Sequence, residues 1–439
     1  MHQVCALDGG GPLGYLRDMP AAPSLTALRQ RWGADVEPLL ERLDGEGENL
    51  VARTESWSAI NSGSYELDGL ARMRRPLADA ASALPGQLDI VELAPSQRIK
   101  PNGDALDVQH GASLRLRVRP EAPIQVALTG HYDTVFPAAH AFQKPWREGD
   151  HLRGPGTADM KGGIAVMLAA LQAFEALPGA KRVGYEVLLS PDEEVGSVAS
   201  GPLLAELGKR AHLGMTYEPA MADGSLVDAR KGSGNFSLHV RGRAAHAGRA
   251  FNEGRNAVIA AAQASLWLSE LNGQRDGVTL NVGAIDGGGP VNVVPDNAVL
   301  RFNVRVPQNE DAAWIEAEIK GVAARVGGLD GVTAHLHGGF TRPPKPLNGA
   351  QKTMVSWTHA AGEAIGLDLK FAPSGGVCEG NNLAAAGCPN IDTLGPVGGH
   401  IHSDQEFALI RSFAERAKLS FLLLAGVERG VFDIASLRP

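Results

Sequence analysis

Cysteine is scarce in this chain. Cys5, Cys378 and Cys388 are the only three among 439 residues, too few and too far apart for a disulfide framework. Free thiols in a reducing, cytoplasmic setting are the expectation. Long apolar runs are missing as well; none reaches the roughly 18 residues that a membrane-spanning helix needs. Residues 1–20 lack a basic start followed by a sustained apolar stretch, so no secretory signal is expected. There is no basic excess either. A net charge of −8 argues against nucleic acid or an anionic membrane as partner. No internal repeat or low-complexity tract occurs. A Gly-Lys-Ser/Thr phosphate loop and a Gly-x-Gly-x-x-Gly strand turn are also absent, which disfavours a nucleotide-binding protein.

What remains is an ordinary globular composition, 44% hydrophobic and 21% charged, in a chain long enough to expect two domains. Glycine is plentiful, at 54 residues, and much of it stands beside polar motifs where backbone must approach closely. Weak helical periodicity covers residues 25–43. Asn61-Ser62-Gly63-Ser64 is a turn and helix-start signal before a helix over 67–84. Strands are expected over 88–93, 113–118, 124–128 and 183–190, with a helix over 162–177 between the last two. Alternating strands and helices predict an α/β sheet with its site at the C-terminal strand ends.

The pattern changes near Lys231. A strand over 236–240 leads to a helix over 256–271, strands over 278–285 and 298–306, a helix over 311–326 and a strand over 333–336. This βαββαβ order is ferredoxin-like. Arg342-Pro343-Pro344-Lys345-Pro346 reads as a stiff connector, after which the helix and strand pattern resumes. The expected organisation is a catalytic domain in two parts, 1–230 and 343–439, with 231–342 inserted as a lid.

Five polar patches carry the chemistry. They are Gly130-His131-Tyr132-Asp133, Gly156-Thr157-Ala158-Asp159-Met160-Lys161-Gly162-Gly163, Asp192-Glu193-Glu194, Tyr217-Glu218-Pro219 and His400-Ile401-His402-Ser403-Asp404. Imidazole nitrogens with carboxylate oxygens form the donor set of an open, catalytic zinc site. One aspartate shared by two ions would make a two-metal hydrolytic centre, which supplies a water nucleophile at neutral pH and relieves charge on a tetrahedral oxyanion. His131 can ligate through one ring nitrogen while Asp133 accepts the other ring N–H. Each patch has a plainer reading: a strand histidine bonded to Asp133, an N-cap for Asp159, a solvated acidic turn for Glu193 and Glu194, and a surface carboxylate for Glu218. Adjacent Glu193 and Glu194 point apart, so one can bind metal while the other serves as general base. His400 and His402 would share one face of a strand, and spacing does not choose between them. Together, in this order, the patches predict a di-metal amide hydrolase.

The constellation resembles the zinc-dependent aminoacylase, acetylornithine deacetylase and glutamate carboxypeptidase family, closest in layout to glutamate carboxypeptidase. The likeness covers nearly all of the chain after Asn61. It implies a central mixed sheet flanked by helices and an inserted ferredoxin-like α+β lid that also dimerises. It also implies two zinc ions about 3.5–4 Å apart, with cobalt or manganese as alternatives, bridged by Asp159. Glu194 and His402 would complete one ion, His131 and Glu218 the other. Asp133 would orient His131, and Glu193 would be the general base. A non-proline cis peptide is implied at Asp159–Met160. His246 matches the lid histidine that meets the oxyanion, often across a dimer. Asn292 and Arg305 match lid residues that meet substrate; Arg301, Asn303 and Arg305 share one strand face, and pairing with helix acids such as Glu310 or Glu316 is the plainer reading of these arginines.

A glutamate at 218 goes with carboxypeptidases and deacylases in the family. The expected substrate is therefore a dipeptide or N-acyl amino acid bearing a free carboxylate, cut in a carboxypeptidase-like or deacylase reaction. A silent binding protein on the same fold is disfavoured by Glu193, since binding needs ligands but no base. The glycine-rich substrate loop departs from the family. It reads Ser374-Gly375-Gly376-Val377-Cys378-Glu379-Gly380-Asn381-Asn382, where Thr-Asp or Ser-Asp normally closes it. Gly375 and Gly376 are expected to bring backbone close to substrate, and Cys378, without a dedicated histidine, is set aside as a nucleophile.

Overall fold

Strand Val183–Ser190 is buried on both faces, and it lies at the centre of the main sheet. The computed structural model describes residue 30 and residues 32–437; Cys5, the 1–20 segment and part of the 25–43 helix reading lie outside the described residues. The sheet order is Gln87–Val91, Ser113–Val118, Val183–Ser190, Ile124–His131, Leu213–Thr216, Asn390–Ile391. Its first two pairings are antiparallel and the last three parallel, so it is a mixed sheet. Three parallel strands thus end at one edge, and His131, Glu193–Glu194 and Glu218 all follow those ends. Helices Lys161–Glu175 and Ser412–Glu428, buried nearly throughout, pack against each other and share the principal core with the sheet. Burial of that many leucines, valines and alanines is the dominant favourable term in folding.

The inserted segment has its own sheet and its own core. Strands Thr279–Gly287, Asn297–Val306, Gly232–Arg241 and Thr333–Arg342 lie in that spatial order, all antiparallel. Helices Ala257–Ser269 and Asn309–Gly327 connect them in the βαββαβ order. Asn297–Val306 alternates as expected: Ala298, Leu300, Phe302, Val304 and Val306 face the helices. Asn256 caps the first helix by accepting from the Ile259 N–H.

Several local readings are corrected. The helical pattern over 25–43 is, where described, helical at residues 30 and 32, then broken by a 3₁₀ turn at Ala34–Val36 before helix Glu37–Gly45. His400 and His402 do not share a strand; both have positive φ, 53° and 63°, in a turn after Gly398–Gly399. A hairpin, Ser96–Ile99 with Ala105–Val108, stands where no element was expected. Its strands have no buried face, so no apolar alternation betrays them. Among the described residues no helix is long and apolar enough to cross a membrane.

Candidate metal centre

Two glycines let the pieces of the site approach. A Cβ on Gly130, one residue before His131, would stand 2.7 Å from Met160 Cε, and one on Gly163 would stand 2.0 Å from the Tyr217 carbonyl. The first would have to turn the Met160 side chain aside, and the second would push away the backbone that carries Glu218. Instead His131, fully buried, brings Nε2 to 3.0 Å from Asp159 Oδ1 and 3.8 Å from Glu218 Oε1. On the other side His402 Nε2 lies 3.3 Å from Asp159 Oδ2 and 3.0 Å from Glu194 Oε2. So the two oxygens of Asp159 face different histidines. The turn after Gly399 brings His402, not His400, to Asp159 and Glu194. Asp159 is not a helix cap; Met160 occupies the N-cap, and the Asp159–Met160 peptide is cis.

Asp133 is tied to both sides of the centre. His131 Nδ1 lies 3.1 Å from its backbone oxygen and 3.3 Å from Oδ1. Its carboxylate also accepts the Ser64 hydroxyl at 2.7 Å and the backbone N–H groups of Glu193 and Glu194 at 3.1 and 3.2 Å. One side chain therefore positions a histidine and the Glu193–Val195 turn together. In that turn Glu194 points to His402, while Glu193 points to Arg342, whose Nη2 donates to Oε1 at 2.6 Å.

The electrostatics are those of a cation site. Burial pushes the carboxyl of Glu218 up to about 7 and that of Glu194 well above the usual range, with Asp159 adding to both. Hydrogen bonds that the His402 ring donates to the Asp159 and Glu194 carboxylates push it up to about 11. For His131, burial works downward, but Asp133, Asp159 and Glu218 overcome it and raise it well above its ordinary value. Four carboxylates around two histidines thus compete for few protons. Glu218 Oε1 is buried with no hydrogen-bond partner. The ligand atoms of His131, Asp159 and Glu218 lie within 4.8 Å of one another, as do those of Asp159, Glu194 and His402. This donor set and the orphaned oxygen fit two divalent cations sharing Asp159.

A cleft of about 660 Å³ opens from these ligands, lined further by Arg230, Arg305, Arg342 and Gly376. Arg230 is held by Asp392 in two bonds of 2.8 and 2.9 Å, with Lys345 on the same carboxylate at 2.5 Å. Arg342 is held by Glu193 and by Asn382 at 2.6 Å. Arg305 donates to Asn303 at 3.1 Å and leaves Nη1 buried without a partner; neither Glu310 nor Glu316 pairs with it. Gly375 is exposed beside Gly376. His246 and Asn292 are exposed and do not line this cleft. Cys378 is buried, and burial raises its thiol well above the ordinary value, the opposite of an activated nucleophile. Glu379 is fully buried with both oxygens unpartnered, and burial pushes its carboxyl up to about 8.

Two residues of the site escaped the sequence reading. Arg342 sits in the proline-rich stretch read as a spacer, yet it is 1% exposed and holds Glu193. Glu406 is 1% exposed and accepts the backbone N–H groups of Gly156, Ala158 and Asp159 at 3.2, 3.0 and 3.1 Å.

The family model described as peptidase family M20/M25/M40 matches residues 127–425. Carboxypeptidase G2 of Pseudomonas sp. (strain RS-16) is 30% identical over 313 residues, 69% of this chain and 74% of that protein. Succinyl-diaminopimelate desuccinylase of Stenotrophomonas maltophilia (strain R551-3) is 33% identical over 310 residues, 65% of this chain and 79% of that one. The solved M20 family metallo-carboxypeptidase Sso-CP2 from Sulfolobus solfataricus superposes with a TM-score of 0.66 at 15% identity, over 86% of this chain and 99% of its own, a likeness of fold.

Proposed function

This chain belongs to peptidase family M20/M25/M40, metal-dependent hydrolases, and from that premise we propose that it hydrolyses the amide bond of a small substrate with a free carboxylate. The observation that carries this reading is the cleft itself, with the metal-ligand set at one end and, in its wall, Arg305, whose buried Nη1 has no partner and which no protein carboxylate pairs. Arg230 and Arg342 are neutralised by carboxylates of the protein, which leaves Arg305 to take one from the substrate. Two zinc ions would sit on His131, Asp159 and Glu218 and on Asp159, Glu194 and His402, supplying a water nucleophile and charge relief when bound. Glu193 takes the proton of the attacking water and returns it to the leaving amine. Carboxypeptidase-like cleavage of a dipeptide and deacylation of an N-acyl amino acid share this arrangement. The relatives include one named for each kind of reaction.

Arg305→Ala tests the carboxylate contact. Hydrogen bonds to a charged group contribute about 1.5–3 kcal/mol, so kcat/KM for a carboxylate substrate should fall about 10- to 100-fold. The methyl amide of that substrate should lose little. Equal loss on both would make Arg305 structural.

We also assign the assembly to the lid. Ile259 and Leu266 lie seven residues apart on one face of helix Ala257–Ser269, 65% and 60% exposed, and Ile285 on the edge strand Thr279–Gly287 is 46% exposed. Such an apolar edge suits pairing across a two-fold axis. His246 and Asn292, which do not line their own cleft, would then serve the neighbour's. Sedimentation should give a dimer that Leu266→Asp splits with loss of activity; a fully active monomer at micromolar concentration would defeat the assignment.

A further inference from the structure

A second, smaller cavity adjoins the metal centre and differs from the cleft in chemistry. It measures about 310 Å³ and shares Glu194 and Val195 with the cleft as walls, so a candidate metal ligand borders both spaces. Tyr65, Val135, Pro137 and Val195 form its apolar walls, with Tyr65 and Val135 51% and 38% exposed. Its polar side chains are turned to the protein. Ser64 donates to Asp133 at 2.7 Å, Glu66 accepts the Ala138 N–H at 3.0 Å, and Glu194 faces His402. No arginine or lysine lines it. Arg98, the cation beside it, lies over the Tyr65 ring, 5.8 Å from its centroid, and fixes that wall in place.

We propose that this cavity is the acyl-side subsite of the enzyme and takes an uncharged, apolar acyl group, alkyl or aromatic. The inference rests on the proposed amide hydrolysis. With the substrate carboxylate on Arg305 in the cleft and the scissile carbonyl at the metals, the other half of the amide must leave past Glu194. There it meets hydrocarbon walls and two carboxylates. An apolar group is favoured by burial, whereas an acidic group would face Glu66 and Glu194, and the cation beside the cavity, Arg98, is engaged on the Tyr65 ring.

The test uses the full zinc-loaded chain and N-acetyl, N-hexanoyl, N-benzoyl and N-succinyl derivatives of one amino acid. Burial favours each methylene by about fourfold in kcat/KM, so hexanoyl and benzoyl substrates should exceed acetyl by roughly two orders of magnitude, with succinyl at or below acetyl. Val135→Asp should cut the hexanoyl-to-acetyl ratio at least tenfold. Val135→Trp, which fills the space without charge, should do the same, whereas Arg305→Ala should slow both substrates and keep the ratio. A flat acyl series, a preference for succinyl, or an unchanged ratio in both Val135 variants overturns the subsite. If no member of the series is cut, the proposed reaction fails, and calorimetry then judges the cavity alone. Hexanoate should bind the zinc-loaded protein and bind Val135→Asp at least tenfold more weakly; absent or equal binding overturns the proposal.

Discussion

Glu193→Gln is expected to keep its metal and to lose about 10²–10⁴-fold in turnover, the usual contribution of a general base. The carboxamide has the shape of the carboxylate and can still accept from Arg342 Nη2, now at 2.6 Å from Oε1, but it cannot take a proton. Burial holds the Glu193 carboxyl above its ordinary range, with Arg342 pulling the other way and Asp159 and Asp133 pushing with it. A carboxylate raised in this manner is a better proton acceptor than one in water, and it remains near enough to its partner to be aimed. Glu194→Gln is the control. Its carboxylate faces His402 at 3.0 Å, so that variant should lose metal first and activity as a consequence. Metal content measured beside kcat separates the two. Near wild-type turnover in Glu193→Gln would remove the base assignment.

The parts of the site that could be read from the sequence are those that a strand end announces. His131, Glu194 and Glu218 follow apolar runs that terminate abruptly in acids, and parallel pairing puts such ends on one edge. The ferredoxin-like insert was legible for a similar reason, since Asn297–Val306 alternates from Leu300 to its end. Arg342 and Glu406 were not, and the cause is physical. Prolines at 343 and 344 fix the backbone without saying whether it is buried, and here the last lid strand carries Arg342 straight to Glu193. Glu406 follows Asp404 and Gln405 in a polar turn that would ordinarily be solvated. Its three partners lie 247 to 250 residues away in sequence, so no local pattern can reveal them. His402 was legible as a type but not as a choice, because the strand assumed for it is a turn with positive φ.

Asp159 and Glu406 make a paired prediction about what holds the centre together. Asp159 offers one oxygen to each histidine, at 3.0 and 3.3 Å, so it is the only ligand common to both three-residue groups among the described residues. Asp159→Asn removes the charge between them and turns one of its two oxygens into a donor, which repels a cation. Both metals should be lost, and activity should fall at least as far as in Glu193→Gln. Glu406 touches no other side chain of the centre; it gathers three N–H groups of the loop that carries Asp159, while its own turn carries His402. A glutamine there keeps one acceptor and aims an NH₂ at donors, so the loop should loosen without losing a ligand. Partners of this outer kind change metal affinity by about 10- to 100-fold. Glu406→Gln should therefore bind zinc 10- to 100-fold more weakly in competition with a chelator, yet recover most of its turnover at saturating zinc, which Asp159→Asn should not. If Glu406→Gln binds zinc as tightly as the parent, its hold on the loop is a matter of folding alone. If Asp159→Asn still carries two ions after dialysis, the shared ligand lies elsewhere.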